Sequence, residues 1–356
     1  MRPVLACLAV LLTMSATCAR AATDDSKVQF DRGYLRHAAA ECERRLAANP
    51  ADAGAGAVLS RIRAVQGDLD GALKLATAAA AAAPGNADAQ YALAEIYGRK
   101  AQVAGMLKAA GLAGKLRKAA DAALVLEPAH VDALVILVEF HSMAPGVLGG
   151  DKHKAAEFTE RIVQADAPMG WIQKGRNALR TKDSTLAAQC FVRAVEVQPT
   201  SARALVQLAS WLAPRWRDPV RAEQLALQAV ELEPWRAGGW QVVASLYANQ
   251  ERWAELDAVL KRSEAAEPAH LAPWFQAGRQ LVVERKAPAR AEGYLRHYLT
   301  REPEIGSQSV AAARWRLGLA LEQQGKRSEA LAEVEAAVRL DSKLEDAKKD
   351  LKRLRS

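Results

Sequence analysis

The chain has 356 residues, half of them hydrophobic, with alanine abundant and aromatics at only 5%. That mixture suits a long helical array and offers nothing from which to build a β domain. Its 49 basic side chains against 41 acidic ones permit attraction to acidic envelope surfaces, but no basic stretch is interleaved with aromatics, so no nucleic-acid partner is expected.

At the N-terminus Arg2 precedes an apolar run from Val4 to Leu12, and Ala19-Arg20-Ala21 supplies the small residues a signal peptidase requires. The run is about half the ~20 residues needed to cross a bilayer, and no other segment is longer. Residues 1–21 therefore read as a cleaved secretory signal with Ala22 as the mature start, which predicts an exported, periplasmic or secreted protein. Cys18 lacks a small residue before it, a poor match to a lipid-attachment site. Residues 22–50 read as a polar, loose start up to Arg32, followed by one amphipathic helix over Gly33–Ala48 that buries Ala38, Cys42 and Leu46.

Beyond this half repeat, prolines at 50, 84, 128, 168, 199, 234, 268 and 303 close alanine-rich segments at spacings of 34, 44, 40, 31, 35, 34 and 35 residues. The residues between them fall in register. The fourth segment carries Trp171, Gly175, Ala178, Ala187, Phe191, Ala194 and Pro199. The sixth has Trp240, Val243, Ala244, Tyr247, Leu256, Leu260 and Pro268, and the eighth Leu317, Gly318, Leu321, Gly325, Ala330, Val334 and Ala337. Small residues at such sites let helix axes approach while larger ones fill the facing holes.

Over residues 51–341 this pattern resembles the tetratricopeptide repeat, a helix–turn–helix unit that buries its apolar faces only by stacking. The resemblance implies an all-α solenoid: a curved superhelix of about eight helix pairs, ended by a capping helix over 342–356. The cap buries Leu344, Ala347, Leu351 and Leu354 and turns Lys348, Lys349, Lys352, Arg353 and Arg355 outward, complementing the helix dipole. Cys42 and Cys190 lie four repeats apart, too far to bridge where only neighbours touch.

Two repeats depart from the ruler. The second is ten residues too long and the third six, both between their two helices, so their loops should emerge side by side as one edge. The first stretch is GRKAQVAGMLKAAGLAGKLRKA, with Arg99, Lys100 and Lys108. The second is APGVLGGDKHKA, with Gly149, Gly150, Asp151 and Lys152. Together they resemble a paired motif of exported bacterial tetratricopeptide-repeat proteins with no settled biochemical role. Pro145, the glycines and the capping Asp151 make an ordinary turn. The same glycines would leave backbone N–H groups free beside cations, a site for a small anion or glycan.

A second candidate is the inner groove that the resemblance implies. Its positions hold Asp88, Tyr91, Glu95, Asp132 and Glu139 in repeats two and three, then Arg176, Arg180, Arg203 and Arg279, with Phe275 and Trp315 near the end. An acidic half followed by a basic half would orient an extended peptide, with the aromatics as anchors.

Catalytic constellations are missing from the sequence: it contains no G-x-S-x-G elbow, no H-E-x-x-H pair and no phosphate loop ending in Gly-Lys-Ser/Thr. Asp68-Leu69-Asp70-Gly71 lacks the glutamate of a calcium loop, and His130, His141 and His270 suit turn and packing roles. No catalytic residue, cofactor or metal is expected. The leading expectation is a non-catalytic scaffold of the bacterial envelope that binds a protein or peptide, peripheral attachment included; the alternative is an anion- or glycan-binding protein using the repeat two/three edge.

Overall fold

The computed structural model describes residues 26–213 and 217–356. The expected signal, 1–21, lies outside the described residues. Among the described residues the chain is helical, with no strand. Most first helices start on a side chain that takes an orphan N–H of the first turn. Asp52, Asn86, Ser201 and Ser309 accept from Ala55, Ala89, Ala204 and Ala312, and the His130 imidazole accepts from Ala133. The closing prolines follow helix ends, since proline disfavours helix in the residue before it. The exception is Pro168, which sits in the first turn of its helix, where a missing N–H costs nothing.

The chain divides into two compact units, one ending at Asn177 and the other beginning at Ala178. In the first unit residues 26–32 form α1, followed by α2 (Leu35–Ala48), α3 (Ala53–Val65), α4 (Leu69–Ala82), α5 (Ala87–Val103), α6 (Met106–Leu126), α7 (Val131–Met143), a 3-10 turn (Gly146–Leu148), α8 (Lys152–Ala165) and α9 (Ala167–Arg180), whose last turn crosses the boundary. The first helices α3 and α5 each pack on their own partner and on the first helix of the next pair, α3 on α4 and α5, α5 on α6 and α7, and α7 packs on its partner α8. This is the stacking by which repeats bury a continuous core.

The second unit holds α10 (Ser184–Val197), α11 (Ala202–Leu212), α12 (Pro219–Leu232), α13 (Ala237–Asn249), α14 (Trp253–Ala266), α15 (Ala272–Glu284), α16 (Pro288–Tyr298), α17 (Val310–Glu322), α18 (Arg327–Leu340) and α19 (Glu345–Arg355). Here α11, α13, α15 and α17 contact one another in sequence order, each also packing on its partner, and α19 packs on α18. Gly318 shows why a small residue stands in the first helix: a Cβ there would fall 2.5 Å from Val334 Cγ2 on the facing helix. Cys42 and Cys190 form no disulfide and are buried, fillers of their respective cores.

Three local expectations change. The polar start is ordered from residue 26 as α1, ended by Gly33 at φ +88° with the Tyr34 N–H returning to the Gln29 carbonyl. Ser26 is fully buried against Arg45, which also grips Asp52 at 2.7 Å; polarity marked this stretch as loose because the partners that satisfy it lie far along the chain. The excess of repeat two is helix, not loop: α5 and α6 have 17 and 21 residues against 13 and 14 in α3 and α4, joined only by Ala104 and Gly105. At the C-terminus the outward cations are largely paired, Lys348 with Glu345, Lys349 with Asp346, Arg353 with Glu322 and Asp350, and Arg355 with Glu335.

Candidate functional site

The helical period places Asp88, Tyr91, Glu95 and Arg99 on one face of α5, and Asp132, Ile136, Glu139 and Met143 on one face of α7. With Leu116 and Ala113 of α6 and Pro145 and Leu148 of the following turn, these residues, Asp88 apart, line a cleft of about 600 Å³. The structure thus brings four of the five acidic-half groove residues together and adds Arg99, which the sequence reading had assigned to the other candidate. The outgrown α6 and the 3-10 turn close one side of the groove, so both candidates share a wall.

A buried ion cluster organises the head of this cleft. Arg61 of α3 donates from Nε to Glu95 Oε2 at 2.7 Å, while Arg99 holds Glu95 Oε1 at 2.8 Å. The Arg61 guanidinium is stacked 4.4 Å from the Phe30 ring of α1 and 5.1 Å from the Tyr91 ring, a geometry that favours a cation on an aromatic face. Burial works against charge on both Arg61 and Glu95, but their mutual field prevails, keeping the guanidinium protonated and the Glu95 carboxyl below its usual range. Burial, with Glu95 beside it, pushes the Tyr91 hydroxyl well up, so it stays a neutral donor.

Asp88 sits outside the cleft at the start of α5 and ties three elements together. Lys27 of α1 reaches its Oδ2 at 2.8 Å, and His130 Nε2 lies 3.2 Å from Oδ1. Because His130 Nδ1 accepts the Ala133 N–H, its Nε2 is the donor. The His130 hydrogen bond, with Lys27, holds the Asp88 carboxyl well below the ordinary range despite burial. Thus α1 rests on the faces of α3 and α5.

The Gly149–Gly150–Asp151 turn does not offer the free N–H groups an anion site needs. Gly149 donates to the Gly146 carbonyl, Gly150 to that of Pro145 and Asp151 to that of His141. Asp151 caps α8 by accepting from His153 and Lys154. Gly150 is demanded by packing, since a Cβ there would fall 1.7 Å from the Ala144 oxygen. Lys100 pairs with Asp70, whereas Lys108 and Lys152 are exposed. His141 is buried, stacked on Phe158 and edge-on to Phe140.

Of the basic-half residues, Arg176 is exposed on α9 in the first unit, and Arg180 and Arg203 are exposed in the second. Arg279 lies in the field of Arg316, which, already disfavoured by burial, is pushed down further. The aromatic anchors are corrected. Phe275 is core, 4% exposed and packed on Tyr298. Trp315 donates from Nε1 to Asp350 of the cap at 2.8 Å.

A second cleft, of about 500 Å³, was not anticipated. It lies on α11, α13 and α15 and, apart from Glu284, is lined by uncharged groups, among them Gln241, Ser245, Asn249, Gln276 and Gln280. Gln276 donates to Ser245 Oγ at 2.9 Å and Gln280 to Asn249 Oδ1 at 2.8 Å, stitching α15 to α13. The signal was present as polar residues four apart, Gln241/Ser245/Asn249 and Gln276/Gln280/Glu284, but charge drew the reading elsewhere.

Comparison with known proteins bears on the last helix pair. Residues 311–344 match the tetratricopeptide-repeat family model. The matched repeat comprises α17 without its first residue, α18 and the whole link to α19, and includes the close-packed Gly318. No curated protein matches. A solved tetratricopeptide-repeat protein of Thermus thermophilus is similar over 52% of this chain and 98% of its own, at 20% identity and a TM-score of 0.40.

Proposed function

We propose that the protein is a non-catalytic scaffold that grips a protein or peptide segment on the first-helix face of its N-terminal unit. The observation that carries this reading is α1. A short segment of the chain already lies on that face as a ligand would, with Lys27 on Asp88 and Phe30 under Arg61. Past it the same face continues as the acidic and apolar cleft of Tyr91, Glu95, Asp132, Glu139 and Ile136. A partner segment carrying cations beside apolar side chains matches that lining, the charges setting orientation and the apolar floor supplying affinity.

The setting is the bacterial envelope, supported by the leader-like residues 1–21, and peripheral attachment is compatible with it: among the described residues no helix is long and apolar enough to cross a membrane. The test is a photo-crosslinker at Val135 in cells, followed by identification of the captured partner. D132K/E139K is expected to weaken that partner's binding at least tenfold with helix content unchanged. Capture of no protein, or undiminished binding by the reversed variant, overturns the reading. N-terminal mass analysis of the fractionated protein should find Ala22 first; an intact Met1 chain in the cytoplasm overturns the envelope setting.

A further inference from the structure

The α5–α6 hairpin is built unlike the other pairs. Leu126 precedes Pro128 by two residues, as Ala82 precedes Pro84. The seven extra residues of α6 and four of α5 therefore lie at the joined ends, which project by about 10 and 6 Å. Such an extension would normally be polar. Here it carries Val103 at 74% exposure, Met106 at 84% and Leu107 at 92%. Gly105, Gly111 and Gly114 face open space, so no packing requirement explains them. From Glu95 to Asp121 the chain has no acidic residue and six cations: Arg99, Lys100, Lys108, Lys115, Arg117 and Lys118. Arg99 and Lys100 are paired near the end of α5, Lys108 is exposed beside the tip, and Lys115, Arg117 and Lys118 are exposed farther down α6. On the neighbouring turn Val147 is 93% exposed, followed by exposed Lys152 and Lys154.

We propose that this hairpin docks on an anionic membrane surface, with Val103, Met106 and Leu107 entering the interface, Lys108 among the lipid phosphates, and Lys115 and Lys118 farther down α6 adding long-range attraction. Three exposed apolar side chains at a tip fall far short of the roughly 800 Å² per partner that a stable protein contact buries. Interfacial docking is assembled from such parts: a few inserted apolar groups and several cations, neither sufficient alone. The apolar residues sit at the extremity and the cations behind them, the order that headgroup depth requires. The neighbouring cleft shares a wall with the hairpin through Ala109, Ala113 and Leu116, but Val103, Met106 and Leu107 do not line it, so substitutions at the tip test docking without changing the cleft.

Flotation of the full chain with vesicles tests this. Parent protein should float with vesicles containing phosphatidylglycerol at low salt, and ten times less or not at all with phosphatidylcholine alone. M106D/L107D should lose at least tenfold in binding to the anionic vesicles while circular dichroism keeps its helix content. Variant and parent share the same N-terminus, so that difference reads the hairpin alone. K108E/K115E/K118E should lose binding and its salt dependence together. The proposal is overturned if the parent ignores anionic vesicles, or if M106D/L107D binds as the parent does, which would mean adsorption by charge only. It is equally overturned if a photo-crosslinker at Leu107 captures an acidic protein in cells and no lipid.

Discussion

The first-helix faces of the two units solve one problem with different chemistry. In the N-terminal unit α3, α5 and α7 are joined by charge: Arg61 to Glu95 and Asp88 to His130, with Lys27 of α1 clamped on top. In the C-terminal unit α13 and α15 are joined by neutral amides and a hydroxyl, Gln276 to Ser245 and Gln280 to Asn249. Stacking needs only that each groove position find a partner one repeat away. Charge and amide both satisfy it, but a buried charge leaves a larger penalty when its partner is removed. The charged face is therefore the more brittle and the more selective of the two.

That contrast breaks first at Arg61. R61A should cost about 3 kcal/mol in urea denaturation, because it leaves Glu95 buried beside one half-exposed guanidinium and removes the cation between two rings. The same variant should make residues 26–33 an early site of limited proteolysis. Q276A in the other unit should cost under ~1 kcal/mol, the worth of one neutral hydrogen bond. Equal losses from the two substitutions would abolish the distinction.

Acid sharpens it. In the C-terminal unit a depressed carboxylate sits on a second helix, at Glu292 of α16, where burial raises the carboxyl but Lys326, Arg296 and Gln324 bring it down to about 2. A carboxylate depressed in the folded state stabilises above its unfolded pKa and loses that contribution as pH falls through the folded one. E292Q should therefore cost about 1–2 kcal/mol at pH 7, with the difference from the parent shrinking as the pH is lowered from about 4.5 to 2. A loss that is constant over that range would assign Glu292 a packing role instead.

The last comparison concerns a left-handed turn within five of the helix pairs. Gly67 and Gly325 take it at φ +88° and +76°, whereas Lys182, Glu251 and Arg285 hold left-handed values of 62°, 58° and 54°. E251G should raise stability by ~1 kcal/mol by relieving the Cβ cost of that conformation, while G67A in the N-terminal unit should lower it by a similar amount. Thermal melts of the two variants check the pair.

The proline ruler and the spaced small residues were enough to place the helix pairs, because helix periodicity and stop signals are local properties of the chain. Groove positions also followed once the register was set: Tyr91, Glu95, Asp132 and Glu139 line one cleft as their spacing implied. Phe275 and Trp315 did not follow, since a one-step rotation on the helix surface separates groove from core and cap. Nor did the amide-lined cleft, whose residues, Glu284 apart, carry no charge to draw notice. The Gly149–Gly150 turn misled for a related reason: glycine reports that backbone can approach closely, but not whether it approaches a ligand or the Ala144 carbonyl.

By itself, then, the sequence determined that this is an all-α stack and which two repeats are overlong, consequences of interactions within a few turns of chain. Only the tertiary structure decided that the excess of repeat two is a projecting helical hairpin with bare apolar residues at its tip, and that α1 lies on the groove. The second outcome depends on Lys27 meeting Asp88, sixty-one residues away, and on Phe30 meeting Arg61. Pairings at that distance are settled by how repeats stack, and no local pattern encodes them.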